Sequence, residues 1–244
     1  MDPFRSLRMS ACPPGRFIGE GHHVVRKMLL DTKVEKCLLT PEGYERLKEL
    51  IPSDVEILIK SKEEMSDYVG FQVHRGYFAM GKIPEPIPFR EGLVVALDGI
   101  SHAENVGSIL RNCAGFGVGG VLIGETTSNP WLRRSVRVGM GAPLRVPLKF
   151  TDNLAETISR MEIPTYAAHI HGEKMNLDEL DLSQDTCIVL GSEADGVSPA
   201  VLDACDRTVY IPMAENWDCI NVAASSAVFL YAATRQRKGM IPDS

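Results

Sequence analysis

Leu93-Val-Val-Ala-Leu97 runs directly into Asp98-Gly-Ile-Ser-His-Ala-Glu-Asn-Val-Gly-Ser-Ile-Leu-Arg-Asn-Cys-Ala-Gly-Phe-Gly117, and the join between these two pieces decides the fold class. An unbroken apolar run offers no polar side to water, so it reads as a strand buried on both faces of a parallel sheet. A polar turn follows, then a helix over residues 105–116. Further strands are predicted over 118–123, 165–170, 187–190 and 209–211, with a closing helix over 221–237. Strands separated by helical segments predict an α/β domain whose parallel sheet is covered on both sides.

Upstream, residues 1–80 read as a smaller α/β unit. Val24, Val25, Met28 and Leu29 recur at helical spacing within 21–30. A strand over 34–39 precedes a helix over 41–50 with Thr40 as its N-cap, and further strands are expected over 55–59 and 77–80. Pro84, Pro86 and Pro88 alternate in Gly81-Lys-Ile-Pro-Glu-Pro-Ile-Pro-Phe89, which favours an extended, semi-rigid connection. The expected division is therefore a domain over 1–80, a linker over 81–91 and a larger domain over 92–244.

Composition narrows the function classes. A formal net charge of −6 argues against bulk polyanion binding, so any nucleic-acid contact must come from a local patch. No apolar run approaches the roughly 18 to 20 residues of a membrane span. Residues 1–21 mix Asp2, Arg5, Arg8, Arg16 and Glu20 around Pro13 and Pro14 with no apolar leader segment, and a cytoplasmic protein is expected. Cys12, Cys37, Cys113, Cys187, Cys205 and Cys219 form no Cys-x-x-Cys pair, so buried free thiols are expected rather than a zinc or dithiol site.

Two tempting patterns are set aside on context. Gly115-Phe-Gly-Val-Gly-Gly120 satisfies a GxGxxG string, but it follows a helix and precedes a strand, the reverse of a dinucleotide-binding turn. A nicotinamide-dependent dehydrogenase is therefore a distant reading. His169 and His171 share a strand face, yet no third ligand stands at a recognisable spacing, and no metal site is expected.

Two more segments join the first: Val189-Leu-Gly-Ser-Glu-Ala-Asp-Gly-Val-Ser198 and Ile211-Pro-Met-Ala-Glu-Asn-Trp-Asp-Cys-Ile-Asn-Val-Ala-Ala224. In this order they resemble the signature motifs of the SpoU (TrmH-like) branch of the SPOUT RNA methyltransferases. Asn129-Pro-Trp-Leu-Arg-Arg-Ser-Val-Arg-Val-Gly-Met-Gly-Ala142 is similar to that family's arginine-rich segment, and Val146-Pro147 to the end of its following strand. Phe17-Ile-Gly-Glu-Gly21 and Gly70-Phe-Gln-Val-His-Arg-Gly76 resemble the small substrate-binding domain related to ribosomal protein L30.

The resemblance implies a deep trefoil knot in the parallel sheet, S-adenosyl-L-methionine as methyl donor, and a ribose 2′-hydroxyl of tRNA or rRNA, not DNA, as acceptor. It also implies a homodimer through the C-terminal domain. Donor contacts would fall on Gly191, Gly196, Ile211, Met213 and Ile220. Asn105, Arg111, Glu193 and Asn221 would be the catalytic positions, and Arg133, Arg134 and Arg137 would contact RNA. Arginine is always protonated in proteins, so Arg111 is read as positioning the RNA and stabilising a developing alkoxide. The proton would pass to a substrate phosphate oxygen or, through water, to Glu193. Cys219 stands where the family has serine, which keeps a second reading open: a non-catalytic RNA-binding protein with the knotted fold.

Overall fold

The computed structural model describes residues 2–5, 7, 12–170, 175–215 and 219–237. They form two compact units: Met1–Glu85 with Trp131–Leu144, and Pro86–Pro130 with Arg145–Ser244.

The first unit begins with β1 (Arg16–Glu20), α1 (His22–Asp31), β2 (Val34–Leu39), α2 (Pro41–Leu47), β3 (Glu56–Ile59), α3 (Lys62–Val69) and β4 (Tyr77–Lys82). Its sheet has the order β1-β4-β2-β3, with β4 antiparallel to both neighbours. Alternation along β2 explains why helices lie on both sides: Cys37 and Leu39 enter one apolar cluster with Phe17 and Met28, while Leu38 enters another with Met65 and Phe78. Local chemistry sets the helix starts. Thr40 accepts from Gly43 N at 3.1 Å with Pro41 in the first turn, and Ser61 and Glu64 form a reciprocal capping box. The segment expected as one helix over 41–50 is α2 followed by a 3₁₀ turn at Lys48–Leu50.

The second unit opens with β5 (Leu93–Leu97), α4 (Ala103–Gly115) and β6 (Gly120–Ile123). The glycine cluster between α4 and β6 is structural: a side chain on Gly120 would overlap the Phe89 ring. The chain then returns to the first unit through Trp131–Leu144, which carries α5 (Arg133–Val138). Val136 and Leu144 join the Phe17 cluster there, and the Trp131 ring lies 4.9 Å from that of Phe17. These residues had been expected inside the domain over 92–244.

The second unit continues with β7 (Leu148–Phe150), α6 (Leu154–Ser159), β8 (Thr165–Ala168), β9 (Met175–Asn176), β10 (Thr186–Leu190), α7 (Pro199–Ala204), β11 (Arg207–Tyr210) and α8 (Val222–Gln236). All seven strands pair in parallel, in the order β7-β6-β5-β10-β8-β11-β9. The sheet grows outward from β5 to β7, then restarts on the other side of β5, with β10 inserted between β5 and β8. Connections therefore diverge at the β5/β10 pair, where Leu97 registers with Leu190. Crevices for ligands open at such a point, beyond the strand carboxyl ends.

Among the described residues no helix is long and apolar enough to cross a membrane. Cys37, Cys113 and Cys187 are buried, whereas Cys219 is exposed, contrary to the expectation of six buried thiols.

Candidate functional site

A cavity of about 420 Å³ lies at the carboxyl ends of β8, β10 and β11, closed on one side by the start of α8. The loop after β10 folds back on itself: Ser192 N donates to Gly196 O at 2.8 Å and Gly196 N to Ser192 O at 3.1 Å. Gly191 lies against that return, where a side chain would overlap the Gly196 and Val197 backbone. Only glycine permits so close an approach. Ile211, Met213, Ile220 and Phe229 give the cavity an apolar wall.

Every expected donor-binding residue (Gly191, Gly196, Ile211, Met213 and Ile220) lines this cavity, as do Glu193 and Asn221. Sequence reasoning missed Val222, Ser225 and Phe229, which also line it. Their signal was the three-then-four spacing of one helix face. Asn216, Trp217 and Asp218 of the third motif lie outside the described residues, as does His171.

Three distant segments meet beside the cavity. Helix α4 has no side-chain cap of its own, and Glu193 supplies one from the β10 loop. Its Oε2 accepts from Ser101 N at 3.2 Å and Ser101 Oγ at 3.0 Å, and its Oε1 from His102 N at 3.3 Å. Asn105 Nδ2 donates to Glu193 Oε1 at 2.7 Å, and Asn105 Oδ1 accepts from Asn221 Nδ2 at 3.2 Å. Asn221 in turn caps α8, its Oδ1 accepting from Ala223 N at 2.9 Å. One amide thus ties the first motif to both others.

Partial burial raises the Glu193 carboxyl. The Asn105 amide and the backbone N–H groups of Glu193, Ser101 and His102 outweigh that and bring it down to about 2. So acidic a carboxyl is a poor proton acceptor at neutral pH, even through water. This weighs against one of the two proton routes expected from sequence, and Glu193 presents a fixed negative charge beside the start of α4.

A protein-family model described as the SpoU rRNA Methylase family matches residues 92–231. The chain belongs to the SpoU family of RNA methyltransferases. It is 32% identical over 254 residues to an uncharacterized tRNA/rRNA methyltransferase of Mycobacterium tuberculosis, covering 96% of this chain and 88% of the relative. It is also 26% identical over 241 residues to the 23S rRNA (guanosine-2′-O-)-methyltransferase RlmB of Acinetobacter baylyi, covering 90% of this chain and 97% of that one. Among solved structures, a putative RNA methyltransferase of the TrmH family from Porphyromonas gingivalis superposes with a TM-score of 0.81 at 27% identity, covering 96% of each chain.

Of the remaining expected residues of this SpoU protein, Arg111, Arg133, Arg134 and Arg137 stand apart from the cavity lining. Arg111 is exposed on α4, about 120° around the helix from Asn105 at 100° per residue. Cys219 lines the cavity, but the Asn105–Glu193–Asn221 contacts make no use of its thiol. In the first unit Arg133 pairs with Glu20 and lies 4.6 Å from the Phe71 ring centroid, with its side chain only 18% exposed. It is committed to the fold, which corrects its expected role as a phosphate ligand. Arg137, more open, approaches Glu20 at 3.4 Å, and Arg134 is exposed.

Because the folded Glu193 carboxyl lies below its ordinary value of 4.5, its stabilising contribution is complete above about pH 4.5 and drains away as pH falls toward about 2. Glu193→Gln should flatten that part of the stability profile in denaturant unfolding followed across the acid range. An unchanged acid slope in the variant would show that the network does not hold the charge.

Proposed function

We propose that the chain methylates a ribose 2′-hydroxyl of structured RNA, tRNA or rRNA, with S-adenosylmethionine as donor. The observation that carries this reading is the single cavity built from the second and third motifs and tied by Asn105 to the first. The residues present suit the donor: apolar walls at Ile211, Met213 and Ile220 match a purine face, and the bare backbone at Gly191 admits close approach. When bound, the donor supplies an electrophilic methyl carbon on a sulfonium. The same reading includes a trefoil-knotted path through the β10 loop and the segment after β11.

Arg111 is assigned to the RNA, where its permanent charge orients the substrate and stabilises the developing alkoxide. Its exposure and its lack of a hydrogen-bond or ion-pair partner among the described residues leave it available for that work. The first unit, with Arg134 and Arg137, would hold the RNA backbone. The reading as a non-catalytic RNA-binding protein rested on Cys219 and gains nothing from the site, since the polar network is complete without that side chain. A homodimer through α8 belongs to the same proposal: Val228 and Tyr231 are exposed on that helix, Tyr231 at 58%.

Arg111→Ala should abolish the 2′-O-methyl mark, read by mass spectrometry of RNA from cells carrying only the variant, while calorimetric affinity for S-adenosylmethionine stays within about twofold. A retained mark would remove Arg111 from the mechanism. RNA affinity should fall steeply with salt, and Arg134→Ala and Arg137→Ala should each reduce the log–log salt slope by about one; salt-independent binding would dismiss the patch. Sedimentation at micromolar concentration should give twice the chain mass, and a monomer would end the dimer assignment.

A further inference from the structure

With Arg133 committed to Glu20, the first unit still carries a second group of cations, gathered at the start of α1. The His22 ring lies 5.2 Å from that of His23 and 5.3 Å from that of Tyr77 at the start of β4, edge-on to both. Arg26 stands one turn further along the same face of α1. Arg46 approaches from α2, and both arginines act electrostatically on His22. His23, Arg26 and Arg46 are exposed, and Arg26 makes no hydrogen bond or ion pair among the described residues. Backbone bonds hold these elements together: Gly21 N donates to Tyr77 O at 2.9 Å, and Thr40 N, ahead of α2, to Gly76 O at 3.1 Å. His74 and Arg75, exposed just before β4, bring two more basic side chains to this end of the sheet.

Few carboxylates offset the group. The first turn of α1 has no acidic residue, Glu20 is shared between Arg133 and Arg137, and Glu42 meets one nitrogen of Arg46 at 2.6 Å. Like charges held together by the backbone leave a surface that a polyanion relieves. A chain of net charge −6 that acts on RNA needs such a local patch.

We propose that His22, His23, Arg26 and Arg46 form a docking surface for the phosphate backbone of RNA. The inference rests on the RNA reading above and extends the Arg134 and Arg137 contacts across the turn from β1 into α1. It also gives the surface a pH response. Burial, then the charges of His23, Arg46 and Arg26, hold the His22 imidazole below its ordinary value of 6.5; the other group against its ring is Tyr77. A phosphate seated there favours the charged ring, so the complex holds more protons than the free chain. RNA affinity therefore rises as pH falls.

The test follows binding of the full-length chain to tRNA and 23S rRNA transcripts by fluorescence anisotropy, across salt and pH, beside calorimetry with S-adenosylmethionine. Arg26→Ala and Arg46→Ala should each lower the log–log salt slope by about one, and Arg26→Lys should keep it, because a phosphate contact counts charge. Reversing both charges, Arg26→Glu with Arg46→Glu, should weaken RNA binding and kcat/KM for RNA roughly tenfold or more, with donor affinity within about twofold. Wild-type affinity should climb between about pH 8 and about pH 5.5, and His22→Gln should flatten that climb. Arginine variants with the wild-type salt slope, or with a lowered slope and unchanged kcat/KM, overturn the docking surface while leaving methyl transfer standing. An unaltered pH response in His22→Gln overturns the proton uptake, and a wild-type chain that binds no RNA overturns both readings.

Discussion

The cavity depends on one side-chain amide. Asn105 donates to a carboxylate 88 residues away and accepts from an asparagine 116 residues away, so one side chain of the first motif bonds to both of the others. A hydrogen bond to a charged partner contributes roughly 1.5–3 kcal/mol, toward the lower end where water reaches it. The contacts join the loops after β5 and β10 to the start of α8.

The arrangement also economises on polar groups. The start of a helix leaves N–H groups unpaired, and just ahead of α4 those of Ser101 and His102 are satisfied by Glu193 rather than by a neighbour in sequence. In return those amides hold the carboxyl ionised. The negative charge and the start of α8 are thus set by the same few contacts, and the site is organised before any ligand arrives. Asn112, one turn further along α4 than Ser108, extends the tie by donating to Ala223 O and Ser226 Oγ, both at 2.8 Å, and so fixes the two helices that flank the cavity.

Much of the architecture was legible because it rests on short-range rules. β5 is apolar throughout and β10 is apolar after Thr186, and α8 is long enough to show its face. The elements that escaped notice are mostly brief: α5, α6 and α7 span six residues each, too few for a helical period to stand out, and β9 has two. The return of Trp131–Leu144 to the first unit was equally hidden, since the contact of Trp131 with Phe17 spans more than a hundred positions and leaves no local trace. Arg133 illustrates the hazard: in the sequence it is one of three neighbouring cations, and in the fold its charge is consumed by Glu20.

The sequence alone determined the parallel α/β character, the motif residues that line the cavity and the family to which they point, because burial pattern and residue type are written position by position. Tertiary structure alone decided what those residues do to one another. Glu193 became a helix cap and a strong acid, and Arg133 lost its freedom. Each of these follows from which charged and hydrogen-bonding groups stand within about 3 Å of each other, and chain proximity in space is the one property a linear order of residues does not contain.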